Sequence, residues 1–145
     1  MTQEPLTSET REHRAFRLPP PLLEDLERHA REAGLTLTAL VERYLDEGRR
    51  HDDHPLIVFR DAPAGRRAAL AGTRLDVWQV METVKNSDNS VADAAAYLSI
   101  PETHARACVR YYASYQDELD EWAERMRAIS EREEDAWRRE QAVLA

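Results

Sequence analysis

Cysteine is nearly missing from this 145-residue chain: Cys108 stands alone, which excludes an internal disulfide and any multi-cysteine metal site. Long apolar runs are missing too. No stretch approaches the roughly 20 consecutive apolar residues of a membrane-spanning helix. The start Met1-Thr2-Gln3-Glu4 has neither the basic region nor the apolar core of a signal peptide, so a cytoplasmic location is expected. With only 4 glycines, the chain has no P-loop and no glycine-rich dinucleotide fingerprint. His51 and His54, three residues apart without a third convergent ligand, do not make a metal site. A non-enzyme with no cofactor and no metal is expected. No period of about 20 to 50 residues repeats, which excludes a solenoid.

What is present is soluble globular composition, 42% apolar against 33% charged, enough for one ordinary domain or two small ones. The net charge of −8 is unevenly spread. Residues 11–50 carry eight arginines against eight acids, and 51–116 carry seven basic against eight acidic residues. Residues 117–145 carry five against ten, so the acidity sits in the tail. The nearly neutral remainder keeps spaced arginines that can meet phosphates.

The polar residues 1–12 are expected to be a disordered arm. Phe16 and Leu18 then alternate with Ala15 and Arg17 at the period of a short strand, which Pro19, Pro20 and Pro21 end. Proline suits a first helical turn, so a helix is expected from near Pro20 through Leu22, Leu23, Leu26, His29 and Ala30, with Gly34 as its C′ residue. Thr36 offers the N-cap of a second helix bearing Leu37, Leu40, Val41, Tyr44 and Leu45 and ending around Gly48. A lone strand has no hydrogen-bond partner, and two short helices expose more apolar surface than they cover. A second copy solves both problems.

Residues 13–50, through Phe16-Arg17-Leu18-Pro19, Gly34 and Thr36, resemble the ribbon-helix-helix (Arc/CopG/ParD-like) family of dimeric repressors and antitoxins. The resemblance implies that His13, Ala15 and Arg17 face bases in the major groove, and that Thr36 with the Leu37 and Thr38 amides holds a phosphate. Ala15 departs from this pattern, since it offers only a methyl contact. The competing reading is a dimerisation piece whose Arg17 is solvated.

His51 to Pro55 reads as a polar hinge. Beyond it, Leu56-Ile57-Val58-Phe59 and Arg66 to Leu70 flank the turn-like Asp61-Ala62-Pro63-Ala64-Gly65, a small hairpin or wing. Val77, Val80, Met81 and Val84 then share a helical face. Ser90 caps a helix with Val91, Ala94, Ala95 and Leu98, and after the corner Ser99-Ile100-Pro101 a third helix carries Ala105, Cys108, Val109 and Tyr112. This is helix-turn-helix spacing. His54-Pro55, Ala71-Gly72-Thr73-Arg74-Leu75, Val77 and the Arg106 to Tyr112 helix resemble the winged helix-turn-helix domain of VapB-type antitoxins, here over residues 55–116. If the third helix reads DNA, Thr103, His104, Arg106 and Arg110 are its contacts. The competing reading is a dimer contact or a protein-binding platform. Cys108 faces inward as a small core residue.

In the tail, Tyr115, Leu119, Trp122, Met126 and Ile129 are separated by 4, 3, 4 and 3 residues, a heptad seam with no proline or glycine to break it. A long acidic helix over 117–145 is expected, with Trp122, Met126, Ile129, Trp137 and Leu144 as partner-binding candidates. The expected fold class is therefore mainly α: a ribbon-helix-helix unit, a hairpin plus helix-turn-helix middle domain, and a long C-terminal helix. The resemblances imply a homodimeric antitoxin of a toxin-antitoxin system. It would bind operator DNA, repress its own operon and neutralise a PIN-like ribonuclease toxin through its C-terminal part. A stand-alone transcription regulator and a coiled-coil scaffold are the alternatives.

Overall fold

The computed structural model describes residues 10–145, so most of the expected arm over 1–12 lies outside the described residues. Among the described residues, six helices and one two-stranded sheet follow in the order α1 (Pro20–Ala33), α2 (Leu37–Asp53), β1 (Ile57–Ala62), β2 (Gly65–Leu70), α3 (Val77–Asn86), α4 (Val91–Leu98), α5 (Glu102–Ser114) and α6 (Gln116–Leu144). The fold is mainly helical with a small hairpin, as the patterning requires. No helix among the described residues is long and apolar enough to cross a membrane.

The expected strand over residues 13–18 does not form in the single chain, where residues 10–19 have no regular structure and Phe16 is 77% exposed. An isolated extended segment has no ladder to join, because its backbone donors and acceptors need a second strand. α1 begins as expected, with proline at its first positions, and stops at Gly34, whose φ of 67° is the left-handed conformation that glycine adopts without strain. The Thr36 side chain accepts from the Ala39 amide at 3.1 Å and opens α2.

α2 does not end at Gly48, and the expected hinge is largely helix. The ladder passes through Gly48, which has no positive φ, and continues to Asp53. Its end is set by His54, which precedes Pro55 and leaves the helical region at φ −134° and ψ 75°. The extra turns carry Arg50 against the rest of the chain.

β1 and β2 pair antiparallel from Ile57↔Leu70 to Ala62↔Gly65, closed by Pro63 and Ala64. Gly65 has φ 129°, and a Cβ there would stand 3.3 Å from the Trp122 ring of α6. Only glycine meets both demands. The hairpin's inner face joins α3, α4, α5 and the first turns of α6 in one core that includes Ile57, Leu70, Val77, Val80, Cys108 and Tyr111, all buried. α3 opens where the Asp76 amide donates to the Gln79 side chain at 2.9 Å. Ser90 caps α4 by accepting from the Asp93 amide, and Ser99, in the left-handed region at φ 56°, turns the chain into α5. Burial pushes the Cys108 thiol up to about 12, so it stays protonated and inert as a core residue.

Candidate functional site

The first group of candidate residues lies at the N-terminal end of the molecule. His13, Ala15 and Arg17 are exposed in the segment leading into α1. Arg11 on the same segment pairs with Glu42 of α2. Thr36 and Thr38 are exposed and Leu37 is half-buried at the start of α2. The first amides of any α-helix lack intrahelical acceptors; Thr36 caps that of Ala39, and the positive pole of the helix lies behind this end. The same unit leaves several large apolar side chains uncovered: Phe16, Leu18, Leu22, Leu23, Tyr44 and Leu45 are all exposed, while Ala30 and Leu40 are buried.

The second group lies on α5. Its inner face buries Ala105, Cys108 and Tyr111, which leaves Thr103, Arg106 and Arg110 exposed on the outer face and His104 half-buried. Arg106 is held by Glu102 at 2.7 Å, one turn earlier. Any phosphate approaching Arg106 competes with that carboxylate. Thr103, Arg106 and Arg110 border a shallow depression with His54 and Pro55. His54 packs edge-on against Tyr111 at 5.2 Å and Tyr115 at 6.2 Å. Burial, followed by the neighbouring Arg110 and Arg50 cations, lowers its pKa despite the opposing Asp53 carboxylate.

The third group divides along α6. Tyr115, Leu119 and Ala123 are buried against the body, and Trp122, Met126 and Ile129 are half-buried. The seam is thus spent within the chain: Trp122 lies over Gly65, and Arg127 reaches Glu82 of α3 at 2.7 Å. Beyond Ile129 the helix carries little but exposed side chains, with Trp137 59% and Leu144 79% exposed. Of the five partner-binding candidates, only Trp137 and Leu144 stand clear of the chain's own packing.

Sequence reasoning missed the polar junction that joins α2 to the body. Arg50 donates from Nη1 to Tyr111 Oη at 2.8 Å and to Glu118 Oε2 at 2.6 Å, and its guanidinium lies 3.9 Å from the centre of the Tyr115 ring. Burial opposes the Arg50 cation, but the Glu118 and Tyr111 contacts outweigh that cost and raise its pKa. Beside it, Arg66 of β2 makes a two-bond contact to Glu47 of α2, at 2.6 and 2.7 Å. The partners are up to 68 residues apart, and no local period marks them. The chain matches no protein-family model, no curated protein and no solved structure.

Proposed function

We propose that this chain is an antitoxin-type repressor that dimerises through residues 13–50, binds operator DNA there, and binds its protein partner through the end of α6. It is a binding protein and not a catalyst, working in the cytoplasm on its own operon. The observation that carries the reading is the uncovered apolar face of the N-terminal unit. Phe16, Leu18, Leu22, Leu23, Tyr44 and Leu45 are all exposed within one short unit, and apolar side chains concentrated in this way mark an association surface. A second copy supplies the missing strand for residues 13–18 and covers that face at once, turning His13, Ala15 and Arg17 outward together. The Thr36 end of α2 then adds a phosphate contact on each side.

Two further observations support the division of labour. The tail beyond residue 116 carries five arginines against ten acids, which suits a basic protein surface better than a phosphate backbone. Trp137 projects from it without cover. A PIN-like ribonuclease is the partner that the antitoxin resemblance implies.

The experiment has two arms. Phe16→Asp places a charge in the shared core and should turn the dimer into monomer by sedimentation. Arg17→Ala should leave the dimer intact and weaken operator binding by about 1 to 3 kcal/mol at fixed salt. A Phe16→Asp protein that sediments as the dimer, or unchanged DNA affinity in Arg17→Ala, overturns the reading.

A further inference from the structure

The joint between α2 and the body is built unlike the parts it connects. Among the described residues, the body's buried apolar core runs from Ile57 to Leu119 and includes no side chain of α1 or α2. A cavity of about 230 Å³ lies between α2 and the body, and α2 contributes only charged residues to its lining, Arg43, Asp46, Glu47 and Arg50. Well-packed interiors leave few voids larger than a water molecule, so interlocked apolar side chains are not what fixes α2 here.

Charge fixes it instead. Arg50 donates to Tyr111 Oη of α5 at 2.8 Å and to Glu118 of α6 at 2.6 and 3.3 Å, while its Nε lies 3.1 Å from Asp46 on its own helix. Arg66 of β2 donates to Glu47 of α2 at 2.6 and 2.7 Å. The two clamps reach different elements of the body, one the corner of α5 and α6 and the other the hairpin. Beside them the chain crosses from α2 to β1 through His54, Pro55 and Leu56, which belong to neither element. A few such positions are enough to absorb a hinge rotation.

We propose that the Arg50–Glu118 and Arg66–Glu47 pairs form an ionic latch about a hinge at residues 54–56. Closed, α2 is a rigid strut between the body and the N-terminal unit; open, the N-terminal unit swings on its tether. Ionic strength is the control, because dissolved ions screen charge pairs that they can reach. The Glu118 side chain is 50% exposed and that of Arg66 27%, so neither pair is sealed from solvent. The apolar face of α1 and α2 and the free end of α6 lie on opposite sides of this joint, and the latch sets whether they keep a fixed relative orientation. This inference does not depend on the proposed DNA-binding function.

The test uses the full chain at single-molecule dilution and reads energy transfer between dyes on Ala39→Cys in α2 and Ala96→Cys in α4, both exposed positions. Cys108 is buried and stays unlabelled. One narrow population is expected at low salt. Glu47→Gln combined with Glu118→Gln should broaden or split it. In about 1 M sodium chloride, where the screening length falls to about 3 Å, the chain with both carboxylates should change in the same direction. A second dye pair within the body, on Ala96→Cys and Ala128→Cys, should hold one distance throughout. The proposal fails if the double variant keeps the narrow population, if salt leaves the distribution unmoved, or if the distribution is already broad at low salt. Movement of the pair within the body would mean loss of the body's fold in place of a hinge, and overturns the proposal too.

Discussion

The two ends of α2 lie in opposite environments. Its first half, with α1, leaves Tyr44 and Leu45 in water beside Phe16, Leu22 and Leu23. Its second half ends in Arg50, which is 6% exposed and bound to α5 and α6. The body from Ile57 to Ala123 closes its own core, with Ile57, Leu70, Val77 and Val80 fully covered. The difference teaches that one chain completes the body but not the N-terminal unit. Apolar area kept from water drives folding, and on the proposed reading the N-terminal unit gains its missing cover by association.

The sharpest way to test the contrast is a matched pair of truncations. Leu70→Ala in the body should cost about 2 to 5 kcal/mol of unfolding free energy, because it removes buried atoms and leaves a cavity. Leu45→Ala, at a site 64% exposed in the single chain, should cost within about 0.5 kcal/mol in dilute protein and act instead on the concentration dependence of unfolding. Urea unfolding over a range of protein concentrations distinguishes the two, and equal costs would abolish the distinction.

Arg50 is where the halves are joined, and its removal is the next largest effect. Arg50→Met leaves the Tyr111 hydroxyl and the Glu118 carboxylate without their donor, although Glu118 is half in water and recovers hydration. A loss of about 1 to 3 kcal/mol follows, smaller than for a fully buried pair. Hydrogen exchange should show the greatest loss of protection in the last turns of α2.

The two halves of α6 repeat the contrast on one helix. Trp122→Ala should lower the melting temperature, because the ring covers the hairpin turn at Gly65. Trp137→Ala should leave melting nearly unchanged and weaken binding to the proposed protein partner by about 2 kcal/mol, measured by calorimetric titration. A drop in melting temperature from Trp137→Ala would mean that the end of the helix contributes to the protein's own packing and not to a partner.

The smallest effect is a pH dependence from His54. Its folded pKa lies below the ordinary value of 6.5, so the unfolded chain takes up the proton first. The stability that His54 contributes is present above about pH 6.5 and is lost as the pH falls through its lower folded value. His54→Asn should flatten the stability profile over that interval. An unchanged slope would assign the acid sensitivity to other groups.

Much of the fold was legible because its signals are local. Proline at the start of α1, Gly34 after it, Thr36 and Ser90 as caps and the Pro63-Ala64 turn each act within a few residues. The end of α2 was misplaced because Gly48 reads as a stop, whereas a glycine inside a helix costs only about 1 kcal/mol and Pro55 is the true barrier. Of the candidate site residues, Trp122 was correctly placed in a seam, but its partner was not visible. That partner is a glycine 57 positions earlier, chosen by a close approach rather than by any period.

The sequence by itself determined the helices, their caps and the hairpin, because turn chemistry and hydrophobic period act through the backbone over a few ångströms. Only the tertiary structure decided which charges are held and which are left over. Arg50 and Arg43 are the same residue type on the same helix, yet one is bound by Glu118 of α6 and the other lies over the ring of its neighbour Tyr44. That outcome depends on where α5, α6 and the hairpin come to rest against α2, and packing across the whole chain sets it.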